Sequence, residues 1–435
     1  MRTANLVWHN WARNQHCAPV AIEEPGSDAE LAGLVKQAST NGQRVKVVGA
    51  GHSFTDIACT DGVQIRLDNY RRVMSIDPER ATATVQAGIH LAELNEALAA
   101  RGLGMENLGD IAYQSIAGAI STGTHGTGAR LRGLAAQVIG LELVTADGSI
   151  VSCSPAEEPE VFSAARVGLG ALGVLSTVTL QCVPAFNLRA VEEPMRMDEV
   201  LDTFDALAGD NDHFEFYWVP HTGWALTKRN NRTDEPVNRS RVNELVNRTL
   251  MENVAFGTVC RLGRLRPAWI PRLSKLMKSG GRNEYVERSY RVFTSPRLVH
   301  FYEMEYAIPR ESVVDVLKQL TSWVDNSGLT ISFPVEVRVA AADDIPLSTA
   351  SGRDSAYIAV HVYWGMPYEQ YFRGVEAIMN RVAGRPHWGK MHYQTAATLA
   401  PRYPHWERFQ AVRRRLDPEG RFANSYTDRV LGPIS

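Results

Sequence analysis

The stretch VVGAGHSFTD, Val47–Asp56, decides how the first part of this chain is interpreted. An apolar run leads into Gly-Ala-Gly, as at the start of a dinucleotide-binding turn. That fingerprint requires a third glycine where Phe54 stands, followed by a helix, but the residues after Phe54 are typical of a loop. The stretch is therefore not a Rossmann turn. It predicts a glycine turn whose backbone amides can approach an anion, with His52 at its tip.

Two further segments combine glycines with small polar residues. SIAGAISTGTHGTGAR covers residues 115–130, and GLGALGVLSTVTL covers residues 168–180. Glycine permits close approach of the backbone, and hydroxyls together with amides can solvate phosphate oxygens. One glycine-rich segment alone usually just forms a turn. Three of them, two with a histidine, are better explained by a single extended ligand that carries a diphosphate.

Composition favours a soluble globular protein of two domains. A chain of 435 residues exceeds the usual size of one hydrophobic core. Lys and Arg number 46 against 48 Asp and Glu, so net charge gives no reason to expect a nucleic-acid partner. Five cysteines without a CxxC pair predict free thiols in a reducing compartment rather than disulfides or a metal site. Because we find no secretion signal and no apolar run near the roughly 20 residues of a membrane span, we expect a cytoplasmic location.

The order of apolar segments and turns indicates an α+β fold rather than a parallel, doubly wound sheet. Ser27 and Glu30 have the spacing of a capping box before a helix. Strands at residues 72–76 and 81–86, and a hairpin at residues 139–153, are joined by tight turns. Further strands are predicted at residues 213–219, 304–307, 333–339 and 355–363, with helices at residues 311–324 and 368–383. This later part predicts a second domain with a large antiparallel sheet covered by helices.

One local segment is strongly basic. Residues 261–282 contain seven Lys or Arg and no Asp or Glu, interleaved with Leu, Ile and Trp. A solvated helical face is the ordinary interpretation, and a surface that contacts a membrane or a partner protein is the alternative. Both interpretations stay open at this point.

Five motifs in a fixed order resemble one enzyme group. They are GAGHSFTDIACTDG from Gly49, ENLGDIAYQSIAGAISTGTHGTG from Glu106, FPVEVR from Phe333, RPHWGK from Arg385 and LDPEGRFANSY from Leu416. The likeness extends beyond the motifs over nearly the whole chain, from about residue 10 to residue 430. The set resembles the L-gulono-1,4-lactone oxidase group of aldonolactone oxidoreductases, which are flavoproteins of the vanillyl-alcohol oxidase superfamily.

This resemblance implies three parts and one cofactor. Residues 1–187 would form an FAD-binding domain of two α+β subdomains, residues 188–394 a cap domain, and residues 395–435 a segment that returns to the flavin site. FAD would be attached covalently through the His52 imidazole at its 8α-methyl carbon, although an isolated Gly-His-Ser is more often a hydrogen-bonding motif. The other positions implied in cofactor binding are Gly49, Ala50, Gly51, Ser53, Gly109, Asp110, Ser115, Gly118, Ser121, Thr122, Gly123, His125, Gly126, Gly173, Val174 and Lys390.

The VEVR motif supplies the main candidates for catalysis. Glu336 and Arg338 are two residues apart, so both side chains lie on one face of a strand. Such a pair alone is usually a surface ion pair. The resemblance implies instead that Glu336 positions or deprotonates the substrate and that Arg338 is a fixed cation beside the reacting oxygen. It further implies Lys390 as a second catalytic cation, Asp110 and His387 as substrate contacts, and Asn424, Ser425 and Tyr426 as tail residues that close the site.

The implied reaction is oxidation of an aldono-1,4-lactone at C2, with hydride transfer to flavin N5 and an ascorbate-type product. Gly109 matches a position where alanine in a dehydrogenase blocks oxygen, so glycine predicts O2 as acceptor and H2O2 as product. Three alternatives stay open. They are an alditol oxidase, an aldonolactone dehydrogenase that uses a cytochrome or quinone, and a flavin-binding module without catalysis. Oligomeric state and substrate stereochemistry are left open by the sequence.

Overall fold

A computed structural model describes residues 7–239, 256–276, 281–295 and 299–434. It begins with a small parallel sheet, in which Val63–Arg66 lies between Ala21–Glu23 and Val45–Val48. The crossover helix Asp28–Thr40 starts at Ser27, whose hydroxyl accepts a hydrogen bond from the Glu30 amide at 3.3 Å. The Glu30 carboxylate accepts from the Gly26 amide instead of from Ser27, so half of the predicted capping box is present.

A second sheet of the first domain is antiparallel throughout. The strands follow the order Ile150–Cys153, Val138–Val144, Val174–Gln181, Thr82–Gln86 and Val73–Asp77. Gly148 adopts a φ of +82° in the turn of the predicted hairpin, a conformation that glycine enters without steric cost. The predicted hairpin and the predicted strand pair are therefore confirmed.

Shorter elements connect and cover these two sheets. The helices are Leu91–Ala99, Ile116–Ser121 and Pro159–Ala165, and the short 3-10 turns are Asp56–Ala58 and Leu134–Gln137. Trp8–His9 pairs with His16–Cys17, and Leu103–Gly104 pairs with the distant strand Val183–Pro184, both antiparallel. The helix Ile116–Ser121 corrects the interpretation of residues 115–130 as one glycine loop, because Ser115 caps a helix by accepting the Gly118 amide at 3.3 Å.

The second domain contains the predicted large antiparallel sheet, which has eight strands among the described residues. Their spatial order is Asn283–Arg288, Asn187–Arg196, Trp224–Thr233, His213–Trp218, Val335–Ala340, Ser355–Tyr363, Phe301–Pro309 and Arg385–Pro386. The helices Met197–Asp202, Phe204–Asp210, Val313–Asn326 and Glu369–Asn380 supply apolar residues to the same core as this sheet, and Arg310–Ser312 and Ser289–Phe293 are shorter turns of helix. We refer to this eight-stranded element as the cap sheet.

The two faces of the cap sheet differ in chemistry because side chains alternate along a strand. In His213–Trp218, Phe214, Phe216 and Trp218 are fully buried in the core beneath the helices. Glu215 and Tyr217 lie on the opposite face, next to Arg338 and Glu336 of the neighbouring strand. Charged groups are therefore collected on the face that does not pack against the helices.

The last 40 residues pack on the first domain. Helices Ala396–Leu399, Trp406–Leu416 and Ser425–Leu431, with the 3-10 turn Ala400–Arg402, contribute Phe409, Tyr426 and Val430 to the core that also holds the first-domain strands. The Val45 amide donates to the Arg421 carbonyl at 2.7 Å, which joins the parallel sheet to this segment. The domain boundaries at residues 187 and 394 stay predictions.

The basic segment is helical where the structure describes it. Its elements are Phe256–Leu265, Pro267–Trp269 and Ile270–Leu276, and residues 277–280 lie outside the described residues. Cys260 and Ile270 are buried, whereas Leu265 is 73% exposed and Trp269 is 49% exposed. In the described part of the chain no helix combines the length and the hydropathy needed to cross a bilayer. Contact with a membrane surface or a partner stays a prediction.

Candidate active site

The three glycine segments meet around one cleft in the first domain, here called the glycine cleft. About 1030 Å³ of atom-free space lies between its walls, a volume that includes space open to solvent. Its lining includes residues 46–53, Ser115, Gly118, Ser121, Thr122, Gly168, Gly170 and Gly173. The structure thus brings together three segments spread over residues 46–173 of the sequence, as one extended ligand requires.

The walls of this cleft fit a dinucleotide cofactor such as FAD. A Cβ at Gly49 would lie 2.1 Å from the Ser115 hydroxyl oxygen, so only glycine lets these two walls approach. A Cβ at Gly173, where φ is +148°, would lie 2.8 Å from the Val144 carbonyl oxygen. Among the described residues, we find no acceptor for the backbone amides of Gly51 and His52. Such amides in a glycine turn are ready donors for phosphate oxygens.

Several predicted cofactor residues lie elsewhere. Gly123 and Val174 flank the glycine cleft without lining it, and Val174 is a buried first residue of a strand. Gly126 is needed for a different close approach, because its Cβ would lie 2.2 Å from the Asn107 side-chain oxygen. Gly109 and Asp110 line a second pocket, described below. None of these five residues lines the glycine cleft.

His52 lies in the lining of the glycine cleft beneath an aromatic cover. Its ring lies 5.5 Å from that of Trp11, in a stacked arrangement, and Trp11 stacks in turn on His300 at 4.5 Å. The Trp11 amide donates to the Gly51 carbonyl at 2.8 Å, which fixes the cover to the turn. Burial, and next the charge of Lys390, lower the pKa of His52 to about 4. The imidazole is therefore neutral at neutral pH, and a ring nitrogen is free of a proton.

A second site, here called the polar pocket, adjoins the glycine cleft, and Gln114 lines both. Its polar lining consists of Asp110, Gln114, His125, Glu303, Glu305, Glu336, Arg338, His361, His387 and Lys390. The structure therefore brings the predicted Glu336, Arg338, Lys390, His387 and Asp110 together beside the cleft. It also adds Glu303, Glu305 and His361, which sequence reasoning missed.

Glu336 and Arg338 form a buried pair. The Arg338 Nη2 lies 2.5 Å from the Glu336 Oε1, and its Nε donates to the Glu215 Oε2 at 2.9 Å. Asp110 is a third carboxylate, 3.7 Å from the guanidinium. Burial, with the nearby carboxylates, raises the pKa of Glu336 although Arg338 opposes this shift. Burial alone would lower the pKa of Arg338, but Glu336 and Glu215 outweigh it and raise that pKa well above its usual value.

Lys390 is held in the polar pocket by an ion pair with Glu303 and lies 5.2 Å from the centre of the Phe54 ring. Burial opposes its charge, but Glu303 and Glu305 outweigh burial and raise its pKa. Lys390 is therefore a fixed cation rather than a surface lysine. Its partner was detectable in principle, because the stretch FYEMEYAIP, residues 301–309, places two acids at alternate positions of an apolar strand.

His125 lines the polar pocket and not the glycine cleft, where the resemblance implied a role in cofactor binding. Its Nε2 is hydrogen-bonded to the Glu305 carboxylate, and its ring stacks on Tyr357 at 3.5 Å. His387 lies next to it, and its Nδ1 accepts the Gly389 amide at 3.1 Å. Burial lowers the pKa of His387 to about 4. A neutral His387 whose Nδ1 is an acceptor carries its proton on Nε2.

The C-terminal tail positions the site without closing it. Asn424 donates to the carbonyl oxygens of Asp56, Ile57 and Cys59 at 2.9 to 3.0 Å, which fixes the segment after His52. The Tyr426 hydroxyl donates to the Trp388 carbonyl at 2.7 Å and so holds the loop that carries Lys390. Ser425 is exposed, so its predicted role in closing the site is wrong.

Comparisons with known proteins agree with this architecture. The family described as D-arabinono-1,4-lactone oxidase matches residues 178–430, and the FAD binding domain family matches residues 19–154. L-gulono-1,4-lactone dehydrogenase of Mycobacterium tuberculosis is 49% identical over 428 residues, which is 98% of this chain and 99% of that protein. L-gulonolactone oxidase of Bos taurus is 38% identical over 434 residues, 98% of each chain.

Solved structures add a likeness of fold. Cholesterol oxidase from B. sterolicum superposes with a TM-score of 0.81 at 18% identity and covers 98% of this chain and 96% of its own. The sequence similarity to the dehydrogenase of Mycobacterium tuberculosis and the two family matches each support this likeness. Together they cover nearly the whole chain. The chain therefore belongs to the D-arabinono-1,4-lactone oxidase family, with an FAD-binding domain of the vanillyl-alcohol oxidase superfamily.

Proposed function

We propose that this protein oxidises an aldono-1,4-lactone, L-gulono-1,4-lactone or a close relative, at C2. The observation that carries the proposal is the polar pocket, where two buried acid–base pairs, Glu336 with Arg338 and Glu303 with Lys390, lie beside the glycine cleft. A ring hydroxyl can be deprotonated there away from bulk water, with fixed cations beside it. The 2-keto lactone formed would tautomerise to an ascorbate-type enediol.

FAD is the cofactor that the glycine cleft would hold. When bound, FAD accepts the hydride that leaves the substrate carbon. The amides of Gly51 and His52 and the hydroxyls of Ser121 and Thr122 would bind its diphosphate, and Gln114 marks the side of the cleft that faces the polar pocket. We propose that the neutral His52 imidazole carries the covalent link to the 8α-methyl carbon, since a deprotonated ring nitrogen is a competent nucleophile.

In the reaction, Glu336 would accept the hydroxyl proton. Its raised pKa makes the carboxylate a stronger base than an ordinary glutamate, and Arg338 holds it in place. Lys390, which stays protonated because Glu303 and Glu305 raise its pKa, would stabilise negative charge near the reacting oxygen or the reduced ring. Asp110 and His387 would contact the substrate from the other walls of the pocket.

Molecular oxygen is the acceptor that we propose, with H2O2 as the second product, because Gly109 leaves the wall of the polar pocket without a Cβ. An added Cβ would lie 3.1 Å from the Thr124 methyl carbon and 3.2 Å from the His125 carbonyl oxygen. The second candidate is a dehydrogenase with a cytochrome or quinone acceptor. It is favoured by the similarity to L-gulono-1,4-lactone dehydrogenase, the relative that is 49% identical.

The test is a substrate panel with the purified protein. We expect turnover of L-gulono-1,4-lactone with formation of one H2O2 for each O2 consumed, and slower turnover of open-chain alditols. Turnover of the lactone only in the presence of a dye or quinone would favour the dehydrogenase. Preference for alditols would favour the alditol oxidase, and turnover of neither substrate class would contradict the proposal.

The covalent link has its own test. Acid denaturation of the native protein should leave the yellow flavin attached to the polypeptide, whereas the His52→Ala variant should release it. Lys390→Met, a change in the neighbouring pocket, serves as the matched control and should keep the flavin attached. Release of flavin from the native protein would show that His52 is not the attachment site.

A further inference from the structure

A second polar chamber lies beneath the cap sheet and borders the polar pocket. Asp110 and Arg338 line both spaces. We name this space the tail chamber. Besides Asp110 and Arg338, its polar lining includes Glu192, Glu215, Tyr217, Lys228, Asn230 and Tyr285. The two spaces therefore share a wall at Asp110 and Arg338.

The strand register gives the tail chamber charges of alternating sign. Lys228 is the direct cross-strand partner of Glu192 on one side and of Glu215 on the other. Glu215 in turn accepts a hydrogen bond from Arg338 on the next strand at 2.9 Å. Acidic and basic side chains therefore alternate across four adjacent strands. Because the charges compensate, such a surface suits neutral groups that both donate and accept hydrogen bonds, and hydroxyls do both.

Asn230 is the group that points most directly to a ligand. It is only 7% exposed, yet we find no hydrogen bond of its side-chain amide to any described residue. A side-chain amide that lines the chamber offers two donors and an acceptor to a ligand there. The neighbouring chamber residues are already engaged, since the Tyr285 hydroxyl contacts Glu192 at 3.5 Å and the Lys228 Nζ lies 5.0 Å from the Tyr217 ring centre. A hydroxyl in the chamber would supply the missing partner.

We infer that the tail chamber binds the hydroxylated side chain that a six-carbon aldonolactone carries on its ring, and that Asn230 determines this specificity. The inference rests on the proposed function and names the substrate class more narrowly. The ring would lie beside Glu336 in the polar pocket, and the side chain would extend past Arg338 and Asp110. Four-carbon lactones, which have no side chain, would use only the polar pocket.

The experiment compares kcat/KM for L-gulono-1,4-lactone with that for a four-carbon aldonolactone of the same C2 and C3 configuration. The measured quantity is kcat/KM for L-gulono-1,4-lactone divided by kcat/KM for the four-carbon lactone. Asn230→Ala should lower this ratio roughly tenfold, because one or two hydrogen bonds to the side chain of the larger lactone are lost. Asn230→Leu, which fills the chamber with an apolar group, should lower the ratio further. Asn326→Ala, on the exposed end of helix Val313–Asn326, is the matched control and should leave the ratio at the native value.

The outcomes are distinguishable. A purely structural role of Asn230 would lower both kcat/KM values together, and a ratio unchanged within twofold in both Asn230 variants would overturn the inference. The yellow absorbance of bound flavin in each variant reports whether the protein has folded. If the native protein oxidises neither lactone, the proposed function itself fails, and the inference fails with it.

Discussion

The glycine cleft and the polar pocket are neighbours, yet they are built in different ways. The cleft is formed by backbone at three glycine turns, and the identity of each glycine follows from a close approach such as that between Gly49 and Ser115. The pocket is formed mainly by buried charged side chains on strands of the cap sheet, together with Lys390 from a loop, and these side chains form pairs of opposite charge. A backbone site is specified by local sequence, whereas a side-chain site is specified by strand register.

The difference predicts that damage to each region has its own signature. A change in the pocket should reduce turnover and leave the cofactor bound, because its charged residues lie outside the glycine cleft. A change in the cleft should reduce the amount of bound cofactor and leave the turnover of each bound cofactor nearly native. The predictions below follow the expected size of the effect, from the largest to the smallest.

Glu336→Gln should have the largest effect on turnover. The amide keeps the shape of the side chain but cannot accept the substrate proton, so kcat should fall by about a thousandfold. Bound FAD per protein should equal that of the native enzyme. Steady-state kinetics together with the flavin absorbance make this measurement, and the exposed Glu311→Gln is the matched control. A kcat within tenfold of native would remove Glu336 from the role of base.

Lys390→Met should lower kcat by about a hundredfold, because a fixed cation near the developing charge is lost and Glu303 loses its partner. The exposed Lys318→Met in helix Val313–Asn326 makes the same chemical change outside the pocket and should stay near native. Equal rates for the two variants would show that Lys390 serves only to hold Glu303 in the fold.

Gly49→Ala tests the glycine cleft. Its new Cβ would meet the Ser115 hydroxyl at 2.1 Å, so either the Ser115 side chain turns away from the Gly118 amide or the two walls of the cleft separate. We expect bound FAD to fall by roughly tenfold or more, with the rate for each bound FAD close to native. Gly33→Ala lies on helix Asp28–Thr40 in open space and should raise stability by about 0.5–1 kcal/mol while FAD stays bound. Full FAD occupancy in Gly49→Ala would contradict the account of the cleft.

Tyr217→Phe should produce the smallest effect, a shift in pH dependence. The Tyr217 hydroxyl donates to the Glu336 carboxylate at 2.8 Å and so favours its ionised form. Without this bond the pKa of Glu336 rises further, and activity that requires the ionised base is lost at a higher pH. The acid limb of kcat/KM should therefore move upward by less than about one pH unit. A downward shift, or none, would show that the hydroxyl does not stabilise the carboxylate.

The same contrast explains what the sequence could predict. The glycine turns, His52 and the Glu336–Arg338 spacing are local patterns, and the structure places them at two adjoining sites. Glu215 and Tyr217 could not be assigned from sequence, because their role depends on pairing with a strand more than 100 residues away. The misplacement of His125 has the same cause. Its partner, Glu305, lies 180 residues further along the chain.

The C-terminal tail shows a second limit of prediction from sequence. The motif at Asn424 is a reliable marker of the site, but its amide fixes three backbone carbonyls after His52 instead of contacting a substrate. A sequence motif shows that a residue matters near a site. Only the hydrogen-bond partners separate a residue that contacts a ligand from one that holds the loop in place.

The most direct test mixes the purified protein with L-gulono-1,4-lactone in the absence of oxygen and follows the flavin absorbance. The account predicts that the yellow absorbance bleaches within the time of one turnover in the native protein and persists in Glu336→Gln. Bleaching that is equally fast in both proteins would remove the polar pocket from the chemistry. A flavin that stays oxidised with every lactone tested would contradict the central claim that the two neighbouring sites act together on this substrate class.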